Sequence, residues 1–302
     1  MAVTPLVSVI ISAYHSDNVI RGCLESLGKQ TFTDFETIVV NSSDEEHTCN
    51  IVEERFPDTR FIQNRIRLLP HAAHNMGVNH ARGKLLAFID PDCRARADWL
   101  EVLVKTLEGG KEMAGGGMEP HHKTWFEMGA HLTKFHWLLS GLQPGTCRII
   151  PTSNACYSKE AFEIIGPFEP DFYCGDAIQS WRARRKGYLL WFEPRAVVEH
   201  IHGGNIASFC GERFKRGYDF MTARERFEKW RRIIFALYTA ASPLLLLKVL
   251  VQAALNASKC GRVGEYFLTL PVQILGHGSW ALGEVCALWK PLMTKKSRSD
   301  DL

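Results

Sequence analysis

The chain has 302 residues, 46% of them hydrophobic and 23% charged. That balance excludes disorder and allows one large core or two modest ones. A formal net charge of +3 is too small to argue for nucleic acid, and no nucleic-acid partner is expected.

Residues 7–14 are a β-branched run ending in a loop, which predicts a buried parallel strand. Residues 18–29 predict a helix with Ile20, Cys23, Leu24 and Leu27 on one face and Asp17 or Asn18 as its cap. A second buried strand is expected over 35–40, stopped by Asn41, Ser42, Ser43 and Asp44. Then come a helix near 47–56, a short strand at 60–62, a helix near 72–81 and a strand at 84–89. The last closes on Asp90, Pro91 and Asp92. Alternating strands and helices predict a parallel α/β sheet whose ligands sit beyond the carboxyl ends of the strands. The loops at 13–15, 41–44 and 90–92 are such ends, so three polar loops converge on one crevice. Another helix is expected over 98–108. Gly115, Gly116 and Gly117 open a strand-and-loop region reaching about residue 150, and a helix at 177–186 precedes a strand at 189–192.

From about residue 206 the character changes, dividing the chain into 1–205 and a helical region over 206–302. Residues 233–247 carry no charge but contain Pro243 and stop at Lys248; residues 266–289 are apolar apart from Gln273, His277 and Glu284. A membrane span needs about 20 predominantly apolar residues, and neither segment supplies them cleanly. A membrane-associated helical hairpin, lying in or dipping into one leaflet, is expected; two full spans, or a hairpin packed on the soluble domain, are the alternatives. Arg224, Arg226, Lys229, Arg231 and Arg232 precede these segments, and Lys290, Lys295, Lys296 and Arg298 follow them. Such flanks suit an anionic membrane surface on the cytoplasmic side, although a solvated helix carries similar charge runs. Nine cysteines without a CxxC pair, and no signal-peptide pattern at the N-terminus, also place the chemistry in a reducing, cytosolic compartment.

Asp90 and Asp92, one residue apart at a strand end, can hold a divalent cation against a diphosphate, and hard oxygen ligands suit Mg2+ or Mn2+. A solvated turn would carry the same two acids. The surrounding motifs narrow the choice. Residues 7–14 and 23–40 form the first group, and Ala73, His74, Asn75, Met76 and Gly77 with Ala81, Arg82 and Gly83 the second. Phe88 through Asp92, residues 154–162, and Gly166, Pro167 and Phe168 follow. Asp176 with Arg182 and Gly187, then Pro194, His200 and His202, close the series. In this order, over about residues 6–205, they resemble glycosyltransferase family 2.

The resemblance implies the GT-A fold, a Rossmann-like nucleotide-binding mixed sheet, and inverting transfer from a nucleotide-sugar donor of the UDP or dTDP type. It implies that Ala13 and Tyr14 back the base, and that Asn41 stands where an aspartate binds base or ribose. Asparagine keeps the hydrogen bonding without the charge. Asn75 falls in an Arg-Asn pair, with His74 in place of the arginine. Asp92 becomes the metal ligand, with Asp90 reaching the ribose or a metal-bound water. His200 completes the metal shell as a neutral imidazole, and His202 shares its strand face. Asp176 becomes the general base, although it also suits an N-cap before Ala177. The family has Glu-Asp here with another acid two residues on; this chain has Gly175 and Ile178 instead. Arg213, Lys215 and Arg216 would reach the diphosphate or an acidic lipid acceptor, or else form the solvated side of a helix.

The stretch 270–284 resembles the tail of bacterial members with a membrane-associated hairpin. That implies a glycan or lipid-linked acceptor at the cytoplasmic face of the inner membrane and a role in polysaccharide biosynthesis. Transfer to polyprenyl phosphate, or a nucleotide-sugar-binding pseudoenzyme or assembly subunit, are the competing expectations. A glycosidase would need paired acids across a sugar rather than a metal site.

Overall fold

The computed structural model describes residues 4–43, 47–228 and 232–289. Asp44, Lys229, Arg231, Lys290, Lys295, Lys296 and Arg298 lie outside the described residues. Seven elements alternate at the start as the pattern predicts: β1 (Val7–Ala13), α1 (Ile20–Leu27), β2 (Phe35–Asn41), α2 (His47–Arg55), β3 (Arg60–Gln63), α3 (Pro70–His80) and β4 (Leu85–Ile89). Next come β5 (Cys93–Ala95), α4 (Trp99–Glu108), β6 (Met113–Pro120), α5 (Trp125–Phe135) and β7 (Gly145–Thr146). The sheet half ends with β8 (Asn154–Ser158), α6 (Lys159–Ile165), α7 (Gly175–Arg185) and β9 (Trp191–His200).

One sheet runs β3-β2-β1-β4-β8-β6-β9-β5, with β7 also paired to β9. β3, β2, β1 and β4 are mutually parallel. Direction reverses at β8, which is antiparallel to both β4 and β6, whereas β6 and β9 are parallel. The sheet is therefore parallel in its first half and mixed as a whole.

The early strands are apolar at successive positions because both faces are covered. Val7, Val9 and Ile11 enter one core with Leu24 and Leu27 of α1 and Leu100 and Leu103 of α4. Ile10 and Phe88 enter the other, with Ala73 of α3 and Phe162 of α6. Alternation between faces is still present, but each face has its own helices. The α1 boundary differs from expectation: its N-cap is Val19, with no side-chain cap hydrogen bond from Asp17 or Asn18.

The glycine run lies within β6, where the register with β9 shifts between Gly116 and Gly117. A Cβ on Gly116 would sit 2.0 Å from the Ala196 carbonyl oxygen and 2.4 Å from the Asn154 amide. Asn154 donates to the carbonyls of Gly117 and Ala196, both at 2.9 Å, and accepts from Trp99 Nε1 at 2.8 Å. Its side chain bolts the bulge at the sheet centre, and only a bare backbone leaves room for it.

Beyond the sheet lie α8 (Ile206–Glu228), α9 (Arg232–Lys259), α10 (Val263–Leu268) and α11 (Leu270–Trp289). α9 runs through Pro243 without a break, so the segment at 233–247 is part of a longer helix than expected. α8 and α11 meet closely at Gly217 and Gly283, where a Cβ would come within 2.2 Å of the Trp280 and Phe214 carbonyl oxygens respectively. Val272, Gln273, Gly276, His277, Gly283 and Glu284 of α11 are buried. The second apolar segment is therefore largely a packed helix, while α9 leaves Ile233, Leu237, Leu244, Leu247, Val251 and Leu255 exposed.

Candidate active site

The carboxyl ends of β1 and β4 open into a cavity of about 730 Å³, closed on its far side by α5, α8 and α11. Tyr14, Asp90, Asp92, Asp176 and His200 all line it. Strand pairing creates the closest of these meetings. Cys93 pairs with His200 across β5 and β9, and the Ile201 amide donates to the Asp92 carbonyl at 2.9 Å. That register brings His200 Nε2 to 3.6 Å from Asp92 Oδ2. His200 is buried, and burial lowers its pKa although Asp92 pulls the other way. The ring is neutral and has a lone pair to offer.

Asp92, Cys93 and His200 place one potential ligand atom each within 4.8 Å of one another. Burial first, then Asp92 and Asp90, raise the Cys93 thiol well above its usual range, so it stays protonated and is a poor ligand for a hard cation. One carboxylate and one imidazole remain, and several positions would stay open for phosphate oxygens. The Asp90 carboxyl is pushed up to about 7 by burial and by the charge of Asp92. Two acids crowded in this way are relieved by a cation, so the donor set fits Mg2+ or Mn2+.

Asp176 lies in the first turn of α7, and its Oδ1 accepts from the Ala177 amide at 2.8 Å. Its own backbone N–H donates to His71 Nε2 at 3.0 Å, and His71 Nδ1 contacts the Phe172 carbonyl at 3.2 Å. These partners require Nδ1 to carry the proton and Nε2 to accept. Burial lowers the His71 pKa against the pull of Asp176, so the ring stays neutral. A Cβ on Gly175 would lie 2.6 Å from His71 Cγ. The ring therefore fills the space that a side chain at 175 would take.

A smaller cavity of about 100 Å³ adjoins, lined by Ala13, Tyr14, Ser42, Arg67, Pro70 and Tyr173 among others. The Arg67 guanidinium lies 4.5 Å above the Tyr14 ring. Asn41 does not line either space. It is fully buried, donating to Gln63 Oε1 at 2.9 Å and accepting from Ser43 Oγ at 3.0 Å.

Residues 8–166, just over half of the chain, match glycosyl transferase family 2. The chain belongs to this family. Among curated relatives it is 26% identical over 233 residues to glycosyltransferase AglE of Haloferax volcanii, covering 75% of this chain and 74% of that protein. It is 35% identical over 110 residues to an uncharacterized glycosyltransferase, EpsJ, of Bacillus subtilis, but there it spans only 31% of the relative. Among solved structures it resembles mannosyltransferase PcManGT from Pyrobaculum calidifontis, in complex with GDP-Man and Mn2+. The TM-score is 0.64 at 19% identity, over 96% of this chain and 89% of that one. GalNAc-T7, with UDP, GalNAc and Mn2+, gives 0.54 at 15% identity, over 67% and 45%. The fold is GT-A, and the protein is a glycosyltransferase.

Within this family 2 enzyme, Asn75 plays a different part from the expected one. Its amide donates to the Phe168 carbonyl at 2.8 Å and accepts from the Phe168 amide at 2.9 Å. Both ends are spent on backbone, so it staples the loop before α7 rather than facing the cavity. His74 packs among Phe88, Phe168 and His71, with both ring nitrogens buried and unpartnered. The His202 ring lies 4.5 Å from that of His200, and its Nε2 is 3.1 Å from His131 Nδ1. Arg213 and Arg216 line the cavity with Lys134, His136, His277 and Trp280, whereas Lys215 is exposed elsewhere. Sequence reasoning missed His71, Arg67 and Lys134. The one available signal was Gly175, a missing side chain whose space some distant residue had to fill.

Proposed function

We propose that this enzyme transfers a sugar with inversion from a nucleoside-diphosphate donor to a membrane-borne glycan or lipid-linked acceptor. The observation that carries it is the convergence of Asp92, His200 and Asp176 on one cavity at the carboxyl ends of the sheet. Tyr14 and Ala13 back the base in the small side cavity, with Arg67 closing over Tyr14. Asn41 acts one layer deeper, fixing Gln63 and Ser43 beneath that space. Asp92 and His200 hold the cation, and Asp90 lies beside them toward the ribose. When bound, Mg2+ or Mn2+ neutralises the charge that develops on the departing diphosphate. Asp176 takes the proton from the acceptor hydroxyl as that oxygen attacks the anomeric carbon from the opposite face. The neutral His71 orients the Asp176 backbone.

The donor is proposed to be of the UDP or dTDP type. Because PcManGT is bound to GDP-Man, the test must include GDP. Thermal melting with Mn2+ and each of UDP, dTDP and GDP should show one nucleotide stabilising the protein. At a hundredfold excess over Kd the gain is about 2.7 kcal/mol, or several degrees for a chain of this size. No shift with any of them at millimolar concentration would sink the donor assignment.

The cytoplasmic face of the membrane is the proposed location. One helix, Ala236–Lys259, is long and apolar enough to cross a bilayer, with a mean hydropathy of 1.5 and only 17% of that window buried. Leu237, Leu244, Leu247, Val251 and Leu255 recur at helical spacing on its exposed side, while Ala253 and Ala257 face the protein. A helix packed on one side and apolar on the other suits immersion in one leaflet. Removing residues 233–302 would be a poor test, because Val249, His277 and Trp280 wall the cavity. Leu244→Ser, Leu247→Ser and Val251→Ser together should instead reduce binding to anionic vesicles at least about tenfold. Wild-type protein that stays in the supernatant beside such vesicles at low salt would rule out membrane docking.

A further inference from the structure

The far wall of the cavity contains a cation that the fold leaves unmatched. Arg213 of α8 is 9% exposed and makes no hydrogen bond or ion pair among the described residues, and its Nε is buried without a partner. Its guanidinium rests 4.3 Å from the centre of the Trp280 ring. Both neighbouring acids are already engaged, and Glu284 accepts from the Tyr238 hydroxyl at 2.8 Å. Glu212 pairs with Lys134 at 2.9 Å and with Arg216 at 2.8 Å. Beside Arg213, His277 of α11 also has a buried, unpartnered Nε2, and burial and then Arg213 push its pKa down to about 3. A buried charge without a partner is costly to the folded state, so a site that keeps one is poised for an anion that arrives from outside.

Two observations separate this point from the donor. Arg216 lies within electrostatic reach of Asp90 and Asp176, whereas the charged groups around Arg213 are Glu212, Arg216, Glu284 and Lys134, with neither of those aspartates among them. Arg213 thus faces the α8–α11 side of the cavity rather than the carboxylates beneath the donor. The same wall carries Val249 of α9, whose helix presents its apolar stripe to the outside. An anion pocket that opens onto an apolar helix suits an amphiphile.

We propose that Arg213, with His277 and Trp280, anchors a phosphate on the acceptor, and that this acceptor is a lipid-linked saccharide whose tail leaves along α9. The inference rests on the membrane-borne acceptor proposed above and names its recognition. The phosphate is an anchor and not the nucleophile. The guanidinium forks onto its oxygens, the Trp280 face supports the guanidinium from behind, and a sugar hydroxyl farther along the acceptor reaches Asp176.

The test uses the full chain, calorimetry and three probes: geranyl phosphate, geraniol and inorganic phosphate. Wild-type protein should bind geranyl phosphate more tightly than either of the others. Arg213→Gln should weaken it about tenfold or more, while leaving Mn2+-nucleotide affinity within about threefold, since the donor site is separate. Because the variant removes an unpaired buried charge, it should also melt no lower than wild type without ligand. Three results would overturn the proposal: geraniol or inorganic phosphate binding as tightly as geranyl phosphate; a tenfold loss of nucleotide affinity in Arg213→Gln, which would give the arginine to the donor; or a markedly lower melting temperature, which would make it a structural cation. If wild type binds geranyl phosphate through Arg213 but no nucleotide, the donor assignment fails and the anchor stands.

Discussion

Asp176→Asn should leave metal and nucleotide binding intact and cut sugar transfer by roughly 10²–10⁴-fold, the usual range for a lost general base. The substitution keeps the shape, and its oxygen can still accept from the Ala177 amide as Asp176 Oδ1 does at 2.8 Å. The two groups packed directly against it cannot take over. Position 175 is a glycine, and the His71 Nε2 lone pair is occupied by the Asp176 backbone N–H. Transfer should be followed at saturating donor with an acceptor preparation from native membranes. Activity within threefold of wild type would place the base elsewhere.

Asp92→Ala should abolish Mn2+-dependent nucleotide binding. The substitution leaves the His200 imidazole, 3.6 Å away in the wild type, as one neutral ligand, and a single imidazole holds a hard cation poorly. Asp90 does not replace it, because the cluster of ligand atoms around His200 contains Asp92 and not Asp90. Calorimetry with Mn2+ and the nucleoside diphosphate that stabilises the wild type gives the measurement. Affinity unchanged by the substitution, or affinity in wild type that is indifferent to chelation, would remove the metal from the mechanism.

The two experiments separate the two halves of the site. One should spare binding and lose chemistry; the other should lose binding at the first step. Their contrast follows from position. Asp92 follows β4 and meets β9 through strand register, whereas Asp176 stands in the first turn of α7, and both line the same cavity.

Much of this enzyme was legible in the linear chain because its signals are local. Buried strands ending in polar loops, at residues 7–14, 35–41 and 84–92, followed from hydrophobic pattern and from the rule that ligands sit beyond strand ends. Asp90 and Asp92 are neighbours in sequence and needed no fold to be paired. The family resemblance located Asp176 and His200, and both line the cavity. What failed locally were caps and helix lengths. Val19 rather than Asp17 or Asn18 begins α1, and α9 passes through Pro243, because tertiary packing overrides local preference.

What the sequence determined by itself was the order of the first seven elements, the sheet core and the acids at its edge, since hydrophobic period and short motifs act within a few residues; the region after Gly117, expected as strand and loop, holds the helix α5 (Trp125–Phe135). Only the tertiary structure decided the roles of residues whose partners are distant. Asn75 proved to be spent on Phe168, His202 on His131, and Gly175 made room for His71. The structure also divided the apolar tail, burying much of α11 against α8 while leaving α9 bare. The physical reason is the same in each case. A polar or apolar side chain acquires its function from the partner that satisfies it or fails to, and across long separations that partner is chosen by packing.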